Sequence, residues 1–352
     1  MITFQLGILG CGKIADKVAE TLTELEGFTV KACAAREEDR AKAFAERHGI
    51  EKAYGSYEEL IRDPDVELIY ITTVNSNHAE LAKLCLEGGK PVLVEKPFSY
   101  NLVTAEEVLK LSEEKKLFCG EAMWLRYVPM IQLICDLIHR EKLIGDIRYI
   151  SANLGYDLRL VERLKDPALA GGSLLDVGIY PITAVFMLMN ALPVSFVSSY
   201  SRLNTGVDGL ETITMNFANG AMATVLSTMM YETDKRCIIY GTTGRVEIDN
   251  INAPEQIRIY NASNEMIQAI DPPERQISGY EYQFLAAREA VIVGRTQTPE
   301  NSHNHIRMLL SFTDKLRKAW GVKFPLPGED ETHAPTPKPN PGDGKIPGTL
   351  RA

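Results

Sequence analysis

"LGILGCGKIADKVA", residues 6–19, joins an apolar run to a glycine loop and then to a segment whose apolar residues have helical spacing. Gly10, Gly12 and Ala15 form the pattern G-x-G-x-x-A. The first glycine allows a tight turn, the second lets a pyrophosphate approach the backbone, and the small third residue lets the helix pack closely. The helix N-terminus adds free N–H groups and positive potential. The stretch therefore predicts a dinucleotide site lined by Gly10, Cys11, Gly12, Lys13 and Ile14.

The rest of the chain has two parts that differ in their pattern of apolar residues and turns. Up to about residue 120, apolar runs such as 28–35, 66–73 and 91–96 alternate with helical patterns, which predicts a parallel sheet with helices on both faces. From about residue 145, strand-like runs are joined by turns such as "NFANGAMA" and "GTTGRVEI", which are hairpin signals. The predicted fold is a Rossmann-type doubly wound α/β domain followed by an α+β domain on a large, mostly antiparallel open sheet.

A length of 352 residues also favours two domains, because a single compact core rarely serves a chain this long. We expect a dinucleotide-binding domain over residues 1–120 and a substrate-binding and dimerisation domain over 121–328. The last residues, "HAPTPKPNPGDGKIPGTLRA", are rich in proline and glycine and nearly free of apolar side chains. They predict a flexible or extended tail over residues 329–352.

Composition limits the possible partners. The net charge of −9 argues against nucleic acid, which needs a basic surface. The sequence shows no apolar run of transmembrane length and no basic leader, so we expect a cytoplasmic protein without membrane contact. The six cysteines form no C-x-x-C pair, which favours reduced thiols and no metal site. "HNH" at 303–305 is interpreted as a helix start, because residues two apart do not share a helix face.

The choice of cofactor depends on "ACAAREEDR", residues 32–40, at the end of the second strand. An NAD site usually has an acid here that binds the ribose hydroxyls. The first polar residue is instead Arg36, whose guanidinium can bind a 2′-phosphate and stack on adenine. NADP(H) is therefore favoured. NAD stays possible if Arg36 is only a solvated helix start and Glu37 binds the ribose.

The next strand ends in "ITTVNSNHAEL", residues 71–81, at the carboxyl edge of the sheet. Ligands of open α/β sheets bind at this edge. For His78 the competing interpretation is helix capping, and we do not expect it to act in catalysis. The residues expected beside the nicotinamide ribose are Thr72, Thr73, Val74, Asn75 and His78.

Two further stretches suggest alcohol oxidation, which needs a base for the hydroxyl proton and a charge to tune that base. "VEKP" places Lys96 at the carboxyl end of a strand, and "GGSLLDVGIYPI" places Asp176 and Tyr180 one helical turn apart. A neighbouring ammonium is expected to lower the pKa of Tyr180 by stabilising the phenolate. The alternatives are a surface salt bridge between Lys96 and Glu95, and a purely structural role for Tyr180.

Together with "EAMWLRYVP", residues 121–129, these motifs resemble the Gfo/Idh/MocA oxidoreductase family up to about residue 328. Tyr180 stands where many members carry histidine. It suggests the branch of dimeric dihydrodiol dehydrogenases and NADP-dependent D-xylose dehydrogenases. The resemblance implies that Tyr180 is the acid/base, with Lys96 beside it and Asp176 orienting the pair. It also implies a cis bond before Pro97.

The same resemblance extends the expected site. It implies cofactor contacts from Glu95, Lys96, Pro97, Trp124 and Arg126. The substrate would meet Lys96, Asp176 and Tyr180 and be bordered by Trp124, Arg126 and Tyr127. Leu125 and Tyr127 depart from the "WTRF" that this branch typically carries, which leaves the substrate open.

The expected function is NADP(H)-dependent hydride transfer to or from a CH–OH or carbonyl carbon of a small sugar, polyol or cyclic diol. An apolar face on the open second sheet would support a homodimer. One alternative is an NAD-dependent dehydrogenase of the sugar or inositol type. Another is a catalytically idle nucleotide-binding regulatory protein, because a fold alone does not establish chemistry.

Overall fold

The first sheet contains the short apolar runs of the N-terminal part. The computed structural model describes residues 3–332. Six strands pair in parallel in the order β3-β2-β1-β4-β5-β6, which is the doubly wound arrangement. The strands are Phe4–Leu9 (β1), Phe28–Ala34 (β2), Lys52–Tyr54 (β3), Leu68–Ile71 (β4), Val92–Glu95 (β5) and Cys119–Ala122 (β6).

Helices connect these strands and cover both faces of the sheet. Central strands β4 and β5 are therefore buried along their whole length. Gly49 ends one helix in the left-handed region, and Ser56 caps the next by accepting the N–H of Glu59 at 3.2 Å. The helices are Lys13–Glu24 (α1), Glu38–His48 (α2), Tyr57–Arg62 (α3), His78–Glu87 (α4) and Leu102–Lys115 (α5).

The second sheet has eight strands in the order β14-β13-β12-β11-β7-β10-β9-β8. Strands β7 and β10 are parallel, and the other neighbouring pairs are antiparallel. Both sheets confirm the predicted fold class. The strands are Ile147–Gly155 (β7), Ser195–Arg202 (β8), Asp208–Asn216 (β9), Met222–Thr228 (β10), Cys237–Gly241 (β11), Gly244–Ile248 (β12), Ile257–Asn261 (β13) and Met266–Ile270 (β14).

Further helices cover one face of this second sheet and link it to the first. Residues 167–189 are long and apolar enough to span a membrane by composition, but nearly all of their apolar part is buried inside the fold. The side chains from this stretch join the core of the second sheet. The helices are Pro129–His139 (α6), Glu162–Lys165 (α7), Ile179–Met189 (α8), Glu281–Ile292 (α9), His303–Trp320 (α10) and Glu329–Thr332 (α11).

Helix α9 connects the two parts of the chain in an order that the sequence does not reveal. It follows the second sheet, yet Phe284 and Ala287 pack in the core of the first sheet. The Phe284 ring meets Tyr70 of β4 edge-on, with centroids 5.1 Å apart. The division at residue 120 stays a prediction. The core of the first domain also contains side chains of α9, which lies far beyond residue 120 in the sequence.

The C-terminal region differs from the expected tail in its first residues. Helix α11 begins at Glu329, whose carboxylate accepts a hydrogen bond from the buried guanidinium of Arg317 at 2.8 Å. Residues 333–352 lie outside the described residues. The "HNH" segment begins α10 as predicted, with Ser302 and His305 forming a reciprocal capping box.

Candidate active site

A cleft of about 660 Å³ lies between the carboxyl edge of the first sheet and the second domain. It gathers most of the residues that the sequence predicts. Pro97, Trp124, Arg126 and Tyr127 are not part of its lining as residues 3–332 define it. The predicted residues that line it are Gly10, Cys11, Gly12, Lys13, Ile14, Arg36, Thr72, Thr73, Val74, Asn75, His78, Glu95, Lys96, Asp176 and Tyr180.

The glycine loop leaves room for a dinucleotide. Gly10 has a φ of +106°, and a Cβ on it would lie 2.9 Å from the Thr72 hydroxyl oxygen, so only glycine suits this position. Gly12 directly precedes α1, and a Cβ there would project into open space. The backbone is therefore open beside a helix N-terminus, where free N–H groups and positive potential suit a pyrophosphate. The residues present therefore fit a nicotinamide dinucleotide.

Two arginines line the end of the cleft beside β2, called here the adenosine end because a dinucleotide on the glycine loop would place its adenosine there. One is Arg36, and the other is Arg40, on the first turn of α2. Glu37 is not among the lining residues, which favours the arginine interpretation over the ribose-binding acid. Sequence reasoning missed Arg40, a second arginine that the first turn of the helix after β2 brings to the cleft.

Lys96 and Asp176 meet at the middle of the cleft. The Lys96 ammonium donates to the backbone oxygen of Asp176 at 2.8 Å and to its carboxylate at 3.4 Å. It also lies 5.0 Å from the centroid of the Tyr180 ring. The alternative, a surface salt bridge between Lys96 and Glu95, is not observed: Glu95 is buried, and its carboxylate accepts the hydroxyl of Tyr70 and the backbone N–H of Lys96.

Burial and nearby charges shift the pKa values of Asp176, Tyr180 and Glu95. Burial alone would raise the pKa of Asp176, but Lys96 and Arg163 hold it below its ordinary value. Burial, followed by the carboxylates of Glu95 and Asp176, raises the pKa of Tyr180 well above its ordinary value. The expected lowering is therefore wrong, because burial and the two carboxylates outweigh the ammonium of Lys96 near the ring. Burial also raises the pKa of Glu95 to about 7.

Two buried acidic residues, Asp208 and Glu211, hold the turn that carries Asp176 by hydrogen bonds. Residues 174–178 form a π-turn just before α8. Asp208 accepts the N–H of Leu174 at 2.6 Å, and Glu211 accepts the hydroxyl of Ser173 at 3.1 Å. Sequence reasoning missed both acids. The available signal was their place in an alternating strand, where Glu211 falls on an inward-facing position.

His78 ties two loops of the cleft together. Its Nδ1 lies 2.7 Å from the carbonyl oxygen of Pro97, and its Nε2 lies 3.1 Å from that of Thr73. Burial lowers the pKa of His78 to about 4, which suits a structural imidazole. The peptide bond between Lys96 and Pro97 is cis, as the resemblance implied.

The expected substrate border is only partly in place. Trp124 stacks on Tyr280, with ring centroids 4.5 Å apart, and Tyr280 lines the cleft. Arg126 is buried, and the hydroxyl of Tyr127 lies 3.0 Å from that of Thr298, so the structure does not bring these two side chains to the cleft. Within residues 3–332, no group of three histidine, cysteine or acidic side chains is arranged to hold a metal ion.

Comparisons with known proteins agree with this geometry. Residues 4–122 match the model of an oxidoreductase family with an NAD-binding Rossmann fold, and residues 134–247 match a Gfo/Idh/MocA C-terminal domain. A trans-1,2-dihydrobenzene-1,2-diol dehydrogenase from Sus scrofa is 33% identical over 332 residues, which span 92% of this chain and 99% of that protein. The resemblance drawn from the motifs is confirmed.

Solved structures share the fold over most of the chain. KijD10, a 3-ketoreductase from Actinomadura kijaniata in complex with NADP and TDP-benzene, is 25% identical with a TM-score of 0.78, covering 87% of this chain and 95% of its own. A levoglucosan dehydrogenase in complex with NADH and levoglucosan is 19% identical with a TM-score of 0.78, covering 91% and 97%. The two-sheet arrangement is therefore common to enzymes with different nicotinamide cofactors.

Proposed function

This chain belongs to the Gfo/Idh/MocA family of NAD(P)-dependent oxidoreductases, and we propose that it is an NADP(H)-dependent sugar, polyol or diol dehydrogenase. A hydride moves between the nicotinamide and a CH–OH or carbonyl carbon of the substrate. Tyr180 exchanges the hydroxyl proton, assisted by Lys96. The observation that carries this proposal is the single cleft that contains both the glycine loop and the Lys96–Asp176–Tyr180 group.

In this proposal Tyr180, Lys96 and Asp176 each have a separate role in the reaction. The bound nicotinamide supplies a carbon that accepts or returns a hydride. In oxidation, the Tyr180 phenolate accepts the proton of the substrate hydroxyl, so that the C–O bond becomes a carbonyl as the hydride leaves. Lys96 stabilises the phenolate and the developing negative charge on the substrate oxygen. Asp176 holds the ammonium in place through its backbone oxygen and carboxylate.

An activity screen tests this function. The purified protein is assayed with aldoses, polyols and cyclic diols, each with NADP and with NAD, by following nicotinamide absorbance. We expect turnover of at least one of these compounds, with NADP preferred. Absence of turnover with both cofactors would contradict the proposal and favour a regulatory protein. The intact group of Lys96, Asp176 and Tyr180 supports the enzyme.

Cofactor preference gives a prediction for Arg36. Changing Arg36→Ala should raise the KM for NADP roughly 10- to 100-fold, because a charge-assisted hydrogen bond to phosphate contributes about 1.5–3 kcal/mol. The KM for NAD, which lacks the 2′-phosphate, should change less than about twofold. Lys42→Ala is the control, since Lys42 pairs with Glu38 on the same helix outside the cleft. Equal effects on both cofactors would remove this role from Arg36.

We also propose that the open face of the second sheet binds a second copy of the chain. Tyr240, Tyr149 and Met222 form one row across β11, β7 and β10, and the two tyrosine rings stack at 6.1 Å. Val197 of β8 is 67% exposed near this row. A sheet face with exposed apolar side chains favours a protein partner, and a twofold axis lets one surface serve both subunits.

The proposed dimer predicts that the wild type and a variant of the interface differ in particle mass in solution. Light scattering should find two chains per particle for the wild type. Met222→Glu should shift the mass toward one chain, because facing carboxylates would be desolvated and would repel each other. Val293→Glu is the control, since Val293 is exposed at the end of α9, away from the second sheet. A wild type that remains a single chain at high concentration would contradict the dimer.

A further inference from the structure

The indole ring of Trp124 is held in one position by the groups packed around it. Trp124 begins a short 3₁₀ turn after β6, and its side chain is buried. One face of the ring stacks on Tyr280, with centroids 4.5 Å apart. Gly279 has a φ of +91°, and a Cβ there would lie 2.8 Å from Cζ3 of the indole, so the backbone packs against the six-membered ring. The ring is therefore oriented before any ligand binds.

The N–H of this indole has no ordinary hydrogen bond among the described residues. Nε1 of Trp124 is shielded from solvent, and no acceptor within residues 3–332 meets it at the usual distance and angle. Buried tryptophan nitrogens usually have a partner. In Trp320, the other tryptophan of the chain, Nε1 donates to the hydroxyl of Ser198 at 2.9 Å. An unpaired buried donor is costly, so the position of Trp124 requires an explanation.

The acceptor beside this N–H is the hydroxyl of Tyr180. The turn that begins at Trp124 packs against α8, which carries Tyr180, and both side chains belong to the same apolar core. Burial and the carboxylates of Glu95 and Asp176 raise the pKa of Tyr180, whereas a side-chain hydrogen bond from Trp124 acts in the opposite direction. The two groups are therefore close enough to interact, although their contact falls short of an ordinary hydrogen bond in this conformation.

Loss of the Tyr180 proton would complete this contact. A phenolate oxygen accepts hydrogen bonds more strongly than a phenol, and bonds to ionised acceptors are shorter than neutral ones. Hydrogen bonds that act in catalysis are often long in the ligand-free enzyme and tighten only in the reacting complex. The indole nitrogen is a donor only, so it favours the ionised tyrosine without adding a charge to the cleft.

We propose that Trp124 is a positioning residue for catalysis, whose indole N–H donates to the Tyr180 oxygen as that oxygen becomes ionised. The bond stabilises the form of Tyr180 that accepts the substrate proton. This inference rests on the proposed dehydrogenase function and adds a second donor to the one supplied by Lys96. The other charged or titratable groups that face Tyr180 in the described part of the chain are Tyr70, Glu95, Lys96, Tyr156, Asp176 and Tyr280.

A double-mutant cycle separates this role from a structural one. Trp124→Phe keeps an aromatic face for Tyr280 and removes the donor. In the wild-type background it should lower kcat for alcohol oxidation roughly 10- to 100-fold, in line with a hydrogen bond to a charged group. In the Tyr180→Phe background the same change should lower kcat less than about threefold, because the acceptor is already missing. Trp320→Phe is the control, since its ring lies outside the cleft, and kcat should change less than about twofold.

The indole signals of the two tryptophans test the contact directly, without a change at Trp124. Protein with ¹⁵N-labelled tryptophan, bound to NADPH, should give two indole N–H signals in an NMR spectrum, and Trp320→Phe assigns them. In Tyr180→Phe the Trp124 proton should move upfield, because it loses its acceptor, and the Trp320 signal should stay in place.

The outcomes distinguish this inference from the function on which it rests. Equal losses of kcat from Trp124→Phe in both backgrounds would overturn it, as would a Trp124 signal that does not respond to Tyr180→Phe. In either case the proposed dehydrogenase function would survive. A wild type without any turnover would overturn that function, and the catalytic role of Trp124 with it.

Discussion

Tyr180→Phe should lower kcat for alcohol oxidation roughly 100- to 10,000-fold, the range that a positioned acid/base contributes. The change removes one oxygen from a buried residue and leaves the ring against the Lys96 ammonium. Cofactor binding should persist, because the glycine loop and the basic adenosine end do not involve this hydroxyl. Steady-state assays and a fluorescence titration with NADPH measure the two effects separately.

The matched control is Tyr240→Phe, on the proposed dimer face of the second sheet, which keeps its ring and loses only the hydroxyl. Its kcat should stay within about twofold of the wild type, since Tyr240 does not line the cleft. If the two variants were equally active, Tyr180 would not be the proton-exchanging group. If Tyr180→Phe lost NADPH binding as well, the loss of activity would have a structural origin.

Lys96→Met should have the second largest effect, a fall in kcat of roughly 100- to 1,000-fold. This is the range found when one preorganised donor to a developing oxyanion is removed. Among the described residues, Arg163 at 3.2 Å would be the remaining charged partner of the buried Asp176, so the pKa of Asp176 should rise. Steady-state kinetics and thermal melting together measure the catalytic and structural consequences.

Lys83→Met supplies the comparison for Lys96. Lys83 pairs with Glu107 at the surface, where ion pairs contribute about 0–1 kcal/mol. Neither kcat nor the melting temperature should change much in that variant. A Lys96→Met enzyme with wild-type kcat and lowered stability would show that Lys96 only supports the turn of Asp176, and the proposed assistance to Tyr180 would be withdrawn.

Local spacing was enough to predict that the residues at the centre of the cleft lie together. The glycine pattern depends on backbone freedom within one turn, and Gly10 indeed adopts a φ of +106°. Asp176 and Tyr180 are four residues apart on one helical segment, so a shared pocket follows from helical geometry alone. Lys96 joined them because strands of a parallel sheet present their carboxyl ends at a single edge.

The remaining features depend on contacts between distant parts of the chain. Tyr156, Asn252 and Tyr280 come together only through the topology of the second sheet and the return of α9 to the first core. The pKa of Tyr180 depends on its burial and on the sum of nearby charges, and considering Lys96 alone gave the wrong direction. Such sums require coordinates and cannot be derived from spacing.

The edge strands β3 and β14 could not be predicted from the sequence pattern either. β3 has only three residues, too few for an alternating pattern, and the apolar residues of β14, "MIQAI", are mostly exposed and do not alternate with polar ones. Their backbones pair because a neighbouring strand offers free N–H and C=O groups at the sheet edge. Apolar pattern therefore predicts the kind of each sheet but not these two edge strands.

The central claim is that Tyr180 exchanges the substrate proton in a cleft that raises its pKa. The direct measurement is the pH dependence of single-turnover oxidation, followed by nicotinamide absorbance in the wild type and in Tyr180→Phe with cofactor bound. Below the raised pKa the reactive phenolate becomes about tenfold more abundant per pH unit, so the wild-type rate should rise steadily through neutral and alkaline pH. Tyr180→Phe should be slow and lack this rise. A Tyr180→Phe variant that oxidises substrate with the wild-type rate and pH dependence would contradict the account.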